Sequence, residues 1–280
     1  MSTGAEAAMH DHEHDDAQLS RVIAERAGQA LLDLRVEFGP TQERARADEL
    51  RALADARSQD LIAAILERNR PADAVLSEEA KDDAGRLTSD RVWIIDPLDG
   101  TWEYGQGRAD FAVHVALWLG KEQRLTACTV ALPAQGLTRT GLDDPAAPAP
   151  LPVDRPIRIV ASRTRPPASL SQVSAQLGEL LAASGVTDHG VEIVDVGSVG
   201  AKVNELLSGR AEIYLHDTGF YEWDAAAPYG VAQHYGYRVS HWDGSTVTFN
   251  HMPPYVSSLL VCHPSLQVAL TEAIAAGRQS

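Results

Sequence analysis

The stretch Trp93-Ile94-Ile95-Asp96-Pro97-Leu98-Asp99-Gly100-Thr101 constrains this chain more than any other. The apolar run Val92 to Ile95 reads as a buried strand. Pro97 offers no N–H to a sheet ladder, so the strand is expected to stop at Asp96. Asp99-Gly100 is a turn signal. Two carboxylates thus share a tight turn at the end of a buried strand, where α/β proteins present side chains to a crevice. Acids this close repel unless a cation lies between them, and hard oxygen ligands favour Mg²⁺ or Mn²⁺ over zinc. Gly100 allows a ligand close to the backbone, and Thr101 adds a hydroxyl. A lone D-P-x-D is more often a turn with solvated acids, so the rest of the chain must decide.

The chain has 280 residues, enough for one large or two medium domains, with an ordinary 44% of hydrophobic residues. A net charge of −15 argues against binding a nucleic-acid polymer or an anionic membrane. It permits an anionic small substrate, because bound cations reverse the local sign. Cys128 and Cys262 each lie in an apolar run without a C-x-x-C neighbour, so both are expected to be reduced core thiols of a cytoplasmic protein. No apolar stretch approaches the roughly 20 residues of a membrane helix, and no signal-peptide pattern opens the chain.

Residues 1–16, acidic and carrying His10, His12 and His14, read as a disordered tail. An N-terminal α+β domain is expected over 17–145 and a C-terminal α/β domain over 155–280, joined by a Pro-rich linker. Helical spacing predicts a helix from Gln18 to Glu37, ended by Gly39-Pro40, and a second from about Asp55 to Arg68. Asp55 then stands at a helix start, the place of an N-cap. Ala74 to Leu76 reads as a strand running into Ser77-Glu78-Glu79, and Lys81 to Asp90 as a polar loop. Phe111 to Leu119, Leu125 to Leu132 and Leu137 to Thr140 suggest a meander. Beyond the linker, strands alternate with helices at Pro167 to Ala183, Ser198 to Ser208 and Asp224 to Tyr235, with a hairpin turning at Asp243-Gly244 and a last helix from Pro264.

Three acid sites stand out: Glu78, the pair Asp96 and Asp99, and Asp224. The segments Ser77-Glu78-Glu79, Asp96-Pro97-Leu98-Asp99-Gly100-Thr101 and Trp223-Asp224-Ala225-Ala226-Ala227 together resemble the signature of the inositol monophosphatase superfamily, over about residues 18 to 276. Val75 to Glu79, Asp90 to Thr101, Arg165-Pro166-Pro167 and Gly197 to Lys202 look most like the 3′(2′),5′-bisphosphate nucleotidases of the CysQ type, their actinobacterial branch in particular. The resemblance implies the layered αβαβα sandwich (α/β, α+β) of the inositol monophosphatase and fructose-1,6-bisphosphatase type. It implies a lithium-sensitive phosphomonoesterase that removes the 3′-phosphate of adenosine 3′,5′-bisphosphate and also acts on 3′-phosphoadenylyl sulfate. A broad inositol monophosphatase, fructose-1,6-bisphosphatase or histidinol-phosphate phosphatase is the alternative. A catalytically dead scaffold would have lost a ligand, and none is lost. Homodimers are common among relatives, so a homodimer is a further expectation.

By the same resemblance Glu78, Asp96 and the Leu98 carbonyl hold one Mg²⁺, and Asp96, Asp99 and Asp224 hold a second. A weaker third ion is implied near Glu78, with Mn²⁺ as a substitute metal. Thr101 matches the family's water-activating Thr, with Asp55, 23 residues before Glu78, as its partner and Asp48 as the fallback. The Gly100 and Thr101 backbone is expected to cradle the scissile phosphate. Gly197 and Ser198, ahead of a helix, form an anion position, and Lys202 is a candidate for a second phosphate, although a solvated helix lysine fits the pattern equally. Ser162-Arg163-Thr164-Arg165 stands where relatives carry S-R-S-H, so Arg163 or Arg165 is expected on phosphate while the base-contacting His is missing. Glu222 and Tyr221 are candidates for sugar or base contact, and Glu79 for holding Glu78 or a loop donor.

Overall fold

The computed structural model describes residues 15–40, 43–144 and 147–277. The expected tail through residue 14, with its three histidines, lies outside them. Helix α1 (Asp16–Phe38) begins at the tail's last residue: the Asp15 carboxylate caps it by accepting from Gln18 N, and Asp16 pairs with Arg70 and Arg91. Gly39, at φ +75°, ends it as expected.

Helix α2 runs from Arg44 to Asn69, eleven residues earlier than the sequence suggests. Its buried stripe is Ala47, Leu50, Ala54, Ser58, Ile62 and Leu66. The small members Ala47, Ala54 and Ser58 carry too little hydrophobicity to show the period, which is why the first half reads only as charged. Asp55 therefore sits inside a helix and is no N-cap.

The first sheet has the order β1 (Ala74–Ser77), β2 (Arg91–Asp99), β3 (Ala112–Leu119), β4 (Arg124–Leu132), β5 (Leu137–Thr140), antiparallel except for the parallel pair β1 and β2. The polar loop before β2 contains a 3-10 turn at Ala84–Thr88 with a buried Arg86, which bonds Asp82, the Asn250 side chain and the His251 carbonyl. The second half supplies β6 (Ile157–Ser162), α4 (Leu170–Ala183), β7 (Val191–Val196), α5 (Val199–Leu207), β8 (Ile213–His216), β9 (Phe220–Tyr221), α6 (Glu222–His234), β10 (Arg238–Ser240), β11 (Tyr255–Val256), β12 (Leu259–Cys262) and α7 (Gln267–Gly277). Its main sheet has the order β10-β12-β8-β6-β7, and β9 pairs with β11. A five-residue helix, α3 (Thr101–Gly105), follows β2. The expected hairpin over 237–250 turns at His241 to Ser245, but its return arm pairs with no strand; β10 pairs with β12 instead.

Alternation along the strands builds the layers. Trp93, Ile95, Val113, Val115 and Leu117 face α1 and α2, whereas Val92, Ile94, Ala112, Ala116 and Trp118 face a central cluster that includes Ala201 of α5 and Ala225 to Ala227 of α6. Tyr214, Val160 and Val261 enter that cluster from the second sheet, while Ile159, Ile213 and Leu215 turn outward to α4 and α7. The result is the expected αβαβα sandwich, with α5 and α6 between the two sheets. Among the described residues no helix is long and apolar enough to cross a membrane.

Candidate active site

Strand β2 does not stop at Asp96. It continues to Asp99 through a bulge: Asp96 pairs with His114, yet Asp99 pairs with Ala112. Three residues of advance on β2 match two on β3, so one residue is extra. Without it Asp96 and Asp99 would face opposite sides of the sheet. With it both face the central layer, because directly paired residues share a face. Pro97 sits in the bulge, where a missing N–H breaks no regular pair. Ser58 of α2 donates to the Pro97 carbonyl at 2.8 Å and holds the bulge from the other side.

Asp224 reaches the same place from the second turn-forming segment. It occupies the third position of α6, and its carboxylate accepts Tyr221 N at 2.9 Å. Ala225, Ala226 and Ala227 are fully buried, and side chains this small let α6 lie close on the first sheet. Asp96, Asp99 and Asp224 each bring a carboxylate oxygen within 4.8 Å of the others. Asp96 Oδ1 accepts Leu98 N at 3.0 Å, whereas Oδ2 is buried with no hydrogen-bond partner among the described residues. Asp99 Oδ2 accepts Gly200 N at 3.0 Å and lies 3.2 Å from His114 Nε2. Burial pushes Asp96 well above the usual carboxylate range, reinforced by Glu78, Asp99 and Asp224. Burial likewise lifts Asp224 to about 8, with Asp99 and Glu78 adding to it. Glu78 rises to about 7 through burial and then Glu79, Asp99 and Asp55. An orphaned buried carboxylate oxygen inside a converging set of acids fits a hard divalent cation.

The acids open on a cleft of about 240 Å³ between the two halves of the chain. Asp99, Gly100, Thr101 and Asp224 line it together with Arg163, Arg165, Gly197, Ser198 and Lys202. Gly100 is left-handed at φ +85°, and a Cβ there would lie 3.1 Å from Ser198 Cβ, so the turn into α3 requires glycine.

A model of the inositol monophosphatase family matches residues 15–279. The chain belongs to this family. A Mycobacterium bovis protein named 3′-phosphoadenosine 5′-phosphate phosphatase is 42% identical over 256 residues, 89% of each chain. Its namesake from Mycobacterium leprae is 39% identical over 260 residues, 90% of each. The crystal structure of CysQ from Bacteroides thetaiotaomicron superposes with a TM-score of 0.67 at 24% identity, covering 89% of this chain and 97% of that one.

In this member of the inositol monophosphatase family, not every candidate reaches the cleft. Asp55 is half-buried on α2, and burial together with Glu79 lifts it to about 7. Asp48, the fallback, is exposed and paired with Arg51 at 2.8 Å. The Thr101 hydroxyl donates to the Leu98 carbonyl at 3.1 Å, which leaves that carbonyl one lone pair. Glu222 is turned away: its buried carboxylate accepts Asn250 N at 2.6 Å and His251 N at 2.7 Å and pairs with the His251 ring. Tyr221 is exposed and stacks on Trp223 outside the cleft. Glu222 does not fit the expected sugar or base contact, because both its oxygens are taken by the loop at Asn250 and His251; Tyr221 is not among the residues that line the cleft.

The anion position ahead of α5 is also consumed by the protein itself. Asp110 accepts Gly197 N and Ser198 N, Asp99 accepts Gly200 N, and Ser198 Oγ accepts Ala201 N. Lys202 is no solvated helix lysine. It is 4% exposed, and its ammonium donates to the carbonyls of Gly197 and Ser198. Burial pulls its pKa down, while Asp99, Glu103 and Asp224 oppose that shift. Arg163 lies 3.4 Å from both Glu103 and Asp110 at the cleft edge, and Arg165 is exposed on it. Sequence reasoning missed Trp102, Glu103, Asp110, Tyr214, His216 and Phe220. Trp102 and Glu103 directly follow the motif and could have been suspected; the other four carry no local signal.

Proposed function

We propose that this protein is a Mg²⁺-dependent phosphomonoesterase that removes the 3′-phosphate of adenosine 3′,5′-bisphosphate and also acts on 3′-phosphoadenylyl sulfate. The observation that carries the reading is near-full-length identity of 42% to a named 3′-phosphoadenosine 5′-phosphate phosphatase. The converging acids supply the chemistry it needs.

Glu78, Asp96, Asp99, Asp224 and the Leu98 carbonyl would hold two divalent cations, with Asp96 shared. Bound there, such ions supply Lewis acidity and lower the pKa of a water from about 15.7 towards neutrality. Asp55, acting with Thr101, takes the water's proton, the role of a general base. The Gly100-Thr101 turn orients the scissile phosphate. Lys202, Arg163 and Arg165 meet the substrate's other anionic group across the cleft.

The test is phosphate release by purified protein with Mg²⁺. Adenosine 3′,5′-bisphosphate is compared with inositol 1-phosphate, fructose 1,6-bisphosphate and histidinol phosphate. The nucleotide is expected to show the highest kcat/KM. A higher value for inositol 1-phosphate or fructose 1,6-bisphosphate would replace this reading with the broad-specificity one.

A further inference from the structure

His114 on β3 is fully buried in a layer that is otherwise apolar. A Cβ on Gly200 would meet His114 Nε2, Ala112 Cβ and Val130 Cγ1 together, so the ring lies between the first sheet and α5. An imidazole there costs free energy that an aliphatic side chain would not, unless its nitrogens find partners. The pairing of β2 with β3 shows which partners are in reach. His114 stands directly opposite Asp96 and diagonal to Asp99, on the face that both acids share.

His114 Nε2 lies 3.2 Å from Asp99 Oδ2 but off the N–H line, and it has no hydrogen-bond partner among the described residues. A buried N–H calls for an acceptor, and a carboxylate is the strongest kind. On the other side of the ring, Nδ1 lies 3.4 Å from the carbonyl of Trp223, the residue before Asp224. The imidazole is thus wedged between the two segments that carry Asp99 and Asp224. It is not itself part of the ligand set: among the described residues, the groups with ligand atoms within 4.8 Å of one another are Asp96, Asp99 and Asp224. Gly200 N and His114 Nε2 both address Oδ2 of Asp99, which leaves Oδ1 to a cation. Outer partners that orient a metal-binding carboxylate are worth about 10- to 100-fold in affinity.

We infer that His114 is a positioning residue of the metal centre: from Nε2 it holds the Asp99 carboxylate, and through its place beside Trp223 it keeps Asp99 in register with Asp224. The inference rests on the reading of these acids as a divalent-cation site. The donor at Nε2 carries the role, and the bulk of the ring does not. Three substitutions separate the two. Gln can place an amide nitrogen near Nε2, Asn places one near Nδ1, and Phe keeps the bulk without any donor.

The test is calorimetry with Mg²⁺ alone and with Mn²⁺ alone, without substrate, on the wild type, His114→Gln, His114→Asn and His114→Phe. His114→Phe and His114→Asn are expected to bind either ion about 10- to 100-fold more weakly, and His114→Gln to recover most of that loss. In thermal scans added Mg²⁺ should raise the Tm of the wild type and of His114→Gln more than that of the other two. Wild-type affinity in His114→Phe would overturn the inference. Equal losses in His114→Gln and His114→Phe would also overturn it, since only packing would then be at work. If His114→Phe does not fold, the contrast of His114→Gln with His114→Asn decides in the same way. Wild-type protein that binds neither ion would overturn the metal reading and the inference together, whereas the other adverse outcomes strike the inference alone.

Discussion

At the residue scale, the site depends on placing carboxylates where water cannot fully solvate them. Asp96 is the extreme case, with one oxygen orphaned. Asp96→Asn removes the shared charge at nearly constant volume. It should lower kcat by more than about 100-fold, since even groups that only orient metal ligands cost 10- to 100-fold. The metal-free variant should melt at or above the wild type, because a buried acid repelled by three others has been neutralised. Near-normal turnover would remove Asp96 from the metal site. Asp55 allows a sharper comparison. Asp55→Asn should reduce kcat by roughly 10²- to 10⁴-fold, the range for a general base, with little change in Mg²⁺ affinity by calorimetry. Asp48→Asn should do nothing, since Asp48 is exposed and already paired. The reverse pattern would exchange their roles.

At the scale of elements, the site is set by how closely α5 and α6 approach the first sheet. Gly200 on α5 donates to Asp99, and a Cβ there would lie 2.5 Å from His114 Nε2 and 2.8 Å from Ala112 Cβ. In an exposed helix Gly→Ala would gain roughly 1 kcal/mol. Here the overlap outweighs that gain, and Gly200→Ala should destabilise by about 1–3 kcal/mol, the cost of overpacking a core. Denaturant unfolding checks it; a variant as stable as wild type would mean that α5 can back away without cost. The bulge in β2 belongs to the same scale. Its motif was legible in the sequence and its consequence was not. Asp96 and Asp99 are three apart, and simple alternation puts them on opposite faces. Only the pairing with His114 and Ala112 on β3 shows that one residue is extra.

At the scale of the whole molecule, the two halves together enclose a concentration of acid. Glu78 and Asp55 are lifted to about 7 and Asp224 to about 8, each first by burial. An unfolded chain ionises these groups near pH 4. Their folded pKa values are higher, so below the unfolded value both states are protonated and no stability is lost. Between about pH 4 and 8 the unfolded state gives up protons that the folded state keeps, and stability falls as pH rises through 7 to 8. Metal-free protein in EDTA should therefore lose roughly 5 °C or more of Tm between pH 5 and 8. Added Mg²⁺ should flatten that slope, because a bound cation favours the ionised folded site. A Tm in EDTA that is level or rising over this window would contradict the acid cluster. Calorimetric scans in matched buffers measure it.

Sequence alone determined what depends on neighbours in the chain. The glycine needed at Gly100 follows from its turn, the amphipathic stripe of α1 from its period, and the stop at Gly39 from the helix it ends. The acid set Glu78, Asp96, Asp99 and Asp224 was legible because its motifs are local strings. The tertiary structure decided everything that depends on which distant groups meet. Glu222 looked available until the loop at Asn250 and His251 took both its oxygens. Gly197 and Ser198 looked like an open anion position until Asp110 occupied their amides. Lys202 became a buried donor, and Tyr214, one more strand residue in the sequence, became a phenol without a hydrogen-bond partner among the described residues. A polar group's chemistry is set by whether its hydrogen bonds are already made. In a folded chain those partners come mostly from far along the sequence, so only packing reveals which groups remain for a ligand.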